Sequence, residues 1–325
     1  MKILETIFVV LLFLSLILVR PASSNSVPVQ YSPIQQIINT ATEGSTVTIP
    51  PGVYYGLFKL NKSLTLIGTN VVIDANNSRV GVIISALNVV FQGFTVKNAL
   101  RFGDGSIPEE LKELWMTPEM EGVGIYVYYA KYVNISRVTI TDCYAGIGFW
   151  QAFGPIPNYV INSTITRTLW AVMLERSHIA IFNSMMQDGL RVYTDGAGRI
   201  QTGGGGILIS DYSILNLTYS TLQNINWAIN IMLHAYFSYI RFNNFINNTH
   251  QVYIAPLAQR EVANWTGNFW SDYNGVDTNL DGVGDTPYVI DAFNQDDKPL
   301  MTDPHFEQSK PRSGGGGGGM RHYIV

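Results

Sequence analysis

The chain of 325 residues contains a single cysteine, Cys143, and only 14% of its residues are charged, against about a quarter in an ordinary soluble protein. One thiol excludes an intramolecular disulfide framework, so stability must come from packing, hydrogen-bonded ladders or a bound metal. Lys and Arg number 20 against 24 Asp and Glu, a net charge of −4, and no basic run occurs. Phosphate contacts need clustered Lys and Arg, so nucleic acid is excluded as a partner. No apolar run reaches the roughly 20 residues needed to span a bilayer. With so little charge, the surface must be built mainly from Asn, Thr, Ser, Tyr and Gly. Apolar residues make up 46% of the chain, enough for one large core or two modest ones.

What is present begins with Lys2, an apolar run from Ile7 to Val19 broken only by Ser15, and the boundary Arg20-Pro21-Ala22-Ser23-Ser24. Residues 1–24 read as a secretory signal peptide cleaved near Ala22 to Ser24, with an uncleaved anchor as the alternative and no membrane span beyond it. Seven Asn-x-Ser/Thr sequons, starting at Asn61, Asn76, Asn134, Asn162, Asn216, Asn247 and Asn264, fit an exported protein, although a chain this rich in these residues also generates them by chance.

Ser32-Pro33-Ile34-Gln35 has the pattern of a capping box ahead of one short helix with Ile37, Ile38 and Ala41 on its apolar face. From Thr46 the helical period gives way to short runs of Val, Ile, Thr and Tyr between Gly and Asn turns, which read as strands. Six of these runs are self-similar: those beginning at Gly93, Arg137, Asn162, Asn183, Tyr219 and Phe242 each place an apolar residue fourth (Val96, Ile140, Ile165, Met186, Leu222, Phe245). The sixth position is Asn or Asp except at Arg167. The anchors are spaced by 44, 25, 21, 36 and 23 residues. A strand repeat that short cannot bury its own apolar face and must stack on its neighbours, which predicts an all-β, single-stranded parallel β-helix; propeller blades need about twice that period.

The two long intervals locate insertions at 99–121 and 194–206, and a smaller excursion spans 151–158. Loops projecting from a solenoid are the usual place for a binding surface. After the repeats, Asp277-Thr278-Asn279-Leu280-Asp281-Gly282-Val283-Gly284-Asp285 has the alternating oxygen ligands and turn glycine of a calcium loop. Side chains of Asp277, Asn279, Asp281 and Asp285 and the carbonyl of Val283 could converge on calcium. Tyr288 stands where an EF-hand carries a bidentate Glu, so an isolated loop is expected.

The stretch Gly267-Asn268-Phe269-Trp270-Ser271-Asp272-Tyr273, the calcium-like loop, Thr286-Pro287-Tyr288-Val289-Ile290 and Lys298-Pro299-Leu300-Met301 resemble the C-terminal signature of NosD-like right-handed parallel β-helix proteins, which carry the carbohydrate-binding and sugar-hydrolase type of repeat. That signature is frequent in archaeal surface proteins. Gly44 to Tyr54 and Ser63 to Gly68 are similar to the opening turns of pectin-lyase-like folds. The resemblance covers about Ile34 to Met301. It implies a fold rather than an activity, because this superfold hosts lyases, hydrolases, adhesins and metallochaperone partners.

Three functions follow as expectations. A polysaccharide hydrolase or lyase needs paired carboxylates, for which Asp142 and Asp188 flanking Arg167 in the sixth-position column are the candidates. The alternative reading of that column is a turn ladder in which Arg167 neutralises its neighbours. Copper handling, implied by the resemblance, would fall to the thioethers of Met116 and Met120, since the histidines are dispersed. A binding or structural role towards glycans or other cell-surface components would use outward aromatics in or beside the insertions, namely Trp115, Trp150 and Tyr128. This last role is the preferred one: a secreted or cell-surface β-helix, stabilised by calcium. The expected division is signal 1–24, β-helix 32–260, capping segment with the calcium loop 261–303, and a disordered Gly-rich tail 304–325.

Overall fold

The structure, a computed structural model, describes residues 31–101, 109–112, 121–190, 192–194, 198, 200–202, 204–232, 234–256 and 260–304. They form a right-handed parallel β-helix with three faces per turn. On a representative turn, Asn134–Ser136 lies on face one, Thr139–Thr141 on face two and Ala145–Trp150 on face three; the next turn repeats this with Asn158–Ile161, Thr164–Thr166 and Trp170–Glu175. Each strand pairs in parallel with its counterpart one turn away. Faces one and two belong to one 18-stranded sheet, joined by the long strands Thr65–Asp74 and Val90–Lys97, and face three is an eight-stranded sheet.

The six expected anchors stack as one column on face two: Val96, Ile140, Ile165, Met186, Leu222 and Phe245 are successive register partners, and all are buried. On face three the inward column runs Val82, Ile125, Ile147, Val172, Ile207 and Ile229. Between the two columns the corner needs residues without bulk. A Cβ on Gly146 would stand 2.5 Å from Cγ2 of Ile165 and 2.6 Å from the Ala171 carbonyl oxygen, so the glycine is what lets the anchor reach the next face.

The corner between faces one and two also buries polar groups. Ser163, Ser184, Ser220, Asn243 and Asn268 lie one above another, each accepting through its side-chain oxygen the backbone N–H of the residue one turn before, at 3.0 to 3.3 Å. Asp296, fully buried, ends the ladder by accepting the N–H of Asn268 at 2.9 Å. Buried backbone donors are thereby satisfied at a corner where the strand ladder is interrupted.

Helix α1, Ile34–Thr40, closes the N-terminal end with Ile34 and Ile38 fully buried. Only the serine half of the expected capping box forms: Ser32 Oγ accepts the Ile34 N–H at 3.4 Å, whereas Gln35 turns to the first strand of face three, accepting the Lys59 N–H at 2.7 Å and donating to its carbonyl at 3.4 Å. At the other end the rings of Phe245, Trp270 and Tyr288 are stacked, with centroids 4.3 Å apart in each pair. Parallel stacking continues past residue 260, through Ala263–Thr266 and Phe269–Trp270. Residues 1–24, and the tail from 305 on, lie outside the described residues.

Candidate functional site

The sixth-position column is the corner between faces two and three. Asn98, Asp142, Arg167, Asp188, Asn224 and Asn247 follow one another in register, and all six have φ between 49° and 61°. Asn and Asp reach this left-handed region more readily than other side-bearing residues, which explains their recurrence here. The residues also ladder: Asn98 Nδ2 donates to both oxygens of Asp74 at 3.0 Å, and Asn224 Nδ2 donates to Asp188 at 2.9 Å. Arg167 does lie between the two aspartates, but its fork engages Asp142, with Nε to Oδ1 at 2.8 Å and Nη2 to Oδ2 at 2.6 Å.

The Arg167 guanidinium holds the Asp142 carboxyl below the usual carboxylate range, and the Thr141 hydroxyl adds to this. At neutral pH Asp142 is therefore an ionised acceptor rather than a proton donor. Because the folded value is depressed, the pair contributes stability above the unfolded carboxylate's pKa of about 3.9 and loses it as the pH falls through the lower folded value. Side chains 41% and 56% exposed limit that contribution to about 1 kcal/mol or less. Asp142→Asn is expected to cost no more than this at pH 7 in urea unfolding, with the difference shrinking as the pH falls below the unfolded carboxylate's range and through the depressed folded value. A difference that grew on acidification would contradict the assignment.

The aromatic candidates stand on the outer side of face three. Tyr128 and Trp150 are direct register partners, and Glu175 is next in the same column. All three are half-buried. Tyr128 is wedged between Tyr126, stacked at 5.9 Å, and Tyr129, edge-on at 4.7 Å. A second outward column, at the start of the same strands, carries Trp170, Gly205, Trp227 and His250, with the last two stacked at 3.8 Å. Sequence reasoning missed this column, although Trp170 and Trp227 each open a strand of the repeat.

Both large insertions leave the corner between faces two and three. Their described parts fold onto face three: Leu111 and Tyr193 are buried in an apolar layer with Tyr126, Val123 and Leu169. Tyr193 packs edge-on against Tyr144 at 5.3 Å and accepts the Arg101 N–H, while the Arg101 guanidinium lies 4.6 Å over the Tyr144 ring and donates to its hydroxyl. Arg79 and Glu121 form a buried ion pair beneath. One flank of the Tyr128–Trp150–Glu175 column is thus walled. Trp115, Met116 and Met120 lie outside the described residues.

In the C-terminal loop, Asp277 accepts the N–H groups of Asp281 and Gly282, and Asp281 accepts that of Val283. Asp285 turns away to Thr278, whose hydroxyl and, to a lesser degree, backbone N–H hold its carboxyl below the usual range. Among the described residues no three His, Cys, Asp or Glu side chains converge as a metal-holding group. The other expected metal, copper, has no histidine cluster there either: His178, His234 and His250 contact Phe153, Tyr212 and Trp227 respectively. Cys143 is buried, donates to the Thr141 carbonyl, and has its thiol pushed up to about 12 by that burial. Among the described residues no helix is long and apolar enough to cross a membrane.

No protein-family model matches the chain. Over 144 residues, 42% of this chain and 28% of the relative, it is 31% identical to a probable ABC transporter binding protein NosD of Stutzerimonas stutzeri. A 47-residue stretch, 14% of this chain and 11% of the relative, is 49% identical to the protein of the same name from Pseudomonas aeruginosa. The matches thus span less than a third of these curated relatives. Among solved structures, an alginate lyase from Paenibacillus sp. has a TM-score of 0.47 at 11% identity, covering 71% of this chain and 95% of its own. Pectate lyase Pel9A has a TM-score of 0.46 at 12% identity, covering 75% of each chain. The chain is thus similar in sequence to NosD proteins over 144 residues, and its own fold is a three-faced, right-handed parallel β-helix.

Proposed function

We propose that the protein is an exported β-helix that binds glycans on the outer side of face three. The observation that carries this reading is the Tyr128–Trp150–Glu175 column: two aromatic faces in adjacent rungs, about 4.8 Å apart at strand spacing, followed by a carboxylate able to accept sugar hydroxyls. A sugar ring stacks on an aromatic face through its C–H groups, and the half-buried rings lose little side-chain freedom in holding it. The wall formed by the insertions gives the column one closed flank. Asp142, ionised and paired, supports a structural role for its column. In a glycan-array screen of the whole protein, Trp150→Ala is expected to weaken the strongest hits at least tenfold, with Tyr128→Ala acting in the same direction. Undiminished binding in both variants would remove this site.

The reading includes calcium at the C-terminal loop, held by Asp277, Asn279, Asp281 and the Val283 carbonyl. Asp285 would join the set by leaving Thr278. A chelator is then expected to lower the melting temperature of the protein, and Asp281→Ala to abolish that response. A melt unmoved by chelator would count against the loop as a calcium site.

A further inference from the structure

The outer side of face one differs in composition from the rest of the surface. Its strands Asn158–Ile161, His178–Phe182, Ile214–Thr218, Ser238–Arg241 and Ala263–Thr266 contain no Asp, Glu or Lys. Alternate residues point inward, where Ile181, Leu217 and Ile240 are buried, so Phe182, Tyr239 and Arg241 stand outside. Phe182, Phe237 and Tyr239 are 39%, 39% and 42% exposed. The Phe237 ring meets Tyr239 edge-on at 5.6 Å, and the Arg241 guanidinium lies 4.7 Å over the Tyr239 ring while its Nε donates to Asn264 at 2.7 Å. Tyr212 and Tyr236, with rings 5.6 Å apart, extend the apolar area onto one corner. Outward positions of face two are polar by contrast, as at Thr139, Thr164, Gln187 and Gln223. Aromatic residues and Arg without Lys, Asp or Glu have the composition of an interface core, and a contiguous apolar area of this extent marks an interaction site.

The order of side chains along this face is complementary to itself. Its middle outward column reads Tyr159, Ala180, Asn216, Tyr239 and Asn264 in successive register. A two-fold axis laid along strand Ile214–Thr218 reverses the order of the rungs and keeps the strand direction. Tyr239 then faces the partner's Ala180, Tyr159 faces the partner's Asn264, and Asn216 meets itself, so each ring is set against a smaller side chain. In the flanking column the same operation brings Arg241 over the partner's Phe182, a cation on an aromatic face. The amide oxygen of Asn216 is buried and bonded to nothing among the described residues, so this amide loses no bond through its oxygen on turning outward to pair with its counterpart. Five rungs, about 24 Å tall at strand spacing and about 25 Å wide with both corners, offer about 600 Å² on each copy. Two copies together cover about 1,200 Å², the lower end of stable interfaces.

We propose that face one is the interface of a homodimer, in which two copies pack sheet on sheet, about 10 Å apart, with their β-helix axes antiparallel. The interface is isologous and closes on itself, so association stops at two. At that separation two Asn side chains reaching from opposite strands bring their amides within hydrogen-bonding distance at the centre of the patch, where a polar pair fixes the register of otherwise apolar surfaces. Face three of each copy stays free.

The test is sedimentation equilibrium of the whole chain, made in a host that adds no N-glycans because Asn216 and Asn264 begin sequons. A dimer is expected. Ala180→Arg, which fills the recess opposite Tyr239 with a charge, should raise the dissociation constant about 100-fold, the scale of burying an unpaired charge, while the far-ultraviolet circular dichroism is retained. Tyr239→Arg should act in the same direction, so the outcome does not depend on one variant. Asn216→Cys should be joined to its counterpart by a short bismaleimide. The unaltered chain, whose Cys143 is buried, and Thr164→Cys on face two should not be. A chain that stays monomeric at its highest soluble concentration, a dimer indifferent to both Arg variants, or cross-linking of Thr164→Cys as strong as that of Asn216→Cys would each overturn the proposal.

Discussion

Trp270→Ala is expected to destabilise the protein by about 3 to 5 kcal/mol, the range for removing a large buried aromatic side chain. Trp270 is 1% exposed and lies flat between Phe245 and Tyr288, 4.3 Å from each. It is the plate that covers the open end of the apolar columns, so its removal leaves a cavity that the flanking rings can fill only in part. In a solenoid each turn is stabilised chiefly by its immediate neighbours, and damage at one end is local. Hydrogen exchange should therefore accelerate first in Ser238–Arg241, Asn244–Ile246 and Ala263–Thr266, while Val123–Tyr128 keeps its protection. Uniform acceleration along the chain, or a loss under about 1 kcal/mol, would show that the ring stack is not the terminating element.

Asp296→Asn should be nearly as damaging, at about 3 to 5 kcal/mol. The carboxylate is fully buried, and its oxygens take five donors: Oδ1 accepts the N–H groups of Gly267 and Lys298, and Oδ2 accepts the Asn268 N–H, its side-chain amide and the Trp270 indole. An Asn side chain keeps one acceptor oxygen and turns an NH₂ group towards the remaining donors, so at least two N–H groups face another donor. An almost isosteric change thus breaks the foot of the ladder rising through Asn243 and Ser220. Because the indole and the carboxylate share a hydrogen bond, Trp270→Phe combined with Asp296→Asn should cost less than the sum of the two. Additive losses in urea unfolding would mean that the bond contributes nothing.

Periodicity made the apolar half of the architecture readable. Val96, Ile140, Ile165, Met186, Leu222 and Phe245 could be aligned by eye, and the alignment equals the register found, because one anchor per turn is a geometric requirement of stacking. The same alignment contained the buried ladder in its second position, at Ser163, Ser184, Ser220 and Asn243, yet polar identity there suggests solvent. Only the stacking, which gives each oxygen a donor one turn away, makes burial acceptable. Gln35 misled for a related reason: local pattern assigned its amide to its own helix, whereas the unpaired first strand at Lys59 is a stronger claimant that sequence proximity does not reveal. Tyr128 and Trp150 were recognisable as aromatics beside insertions. That they are vertical neighbours, with Glu175 completing the column, depends on where intervening loops return the chain to its sheet.

A β-helix is in effect a fibril one molecule wide, and its first strand would offer any passing extended chain the groups needed to lengthen it. At Lys59 the amide of Gln35 occupies both backbone positions, with helix α1 lying across the opening. Together with the Ser32 N–H, which is donated to the Leu57 carbonyl at 2.6 Å, this side chain terminates the edge of face three. Gln35→Ala would cost the monomer little by comparison with what it exposes, an end on which further copies can polymerise.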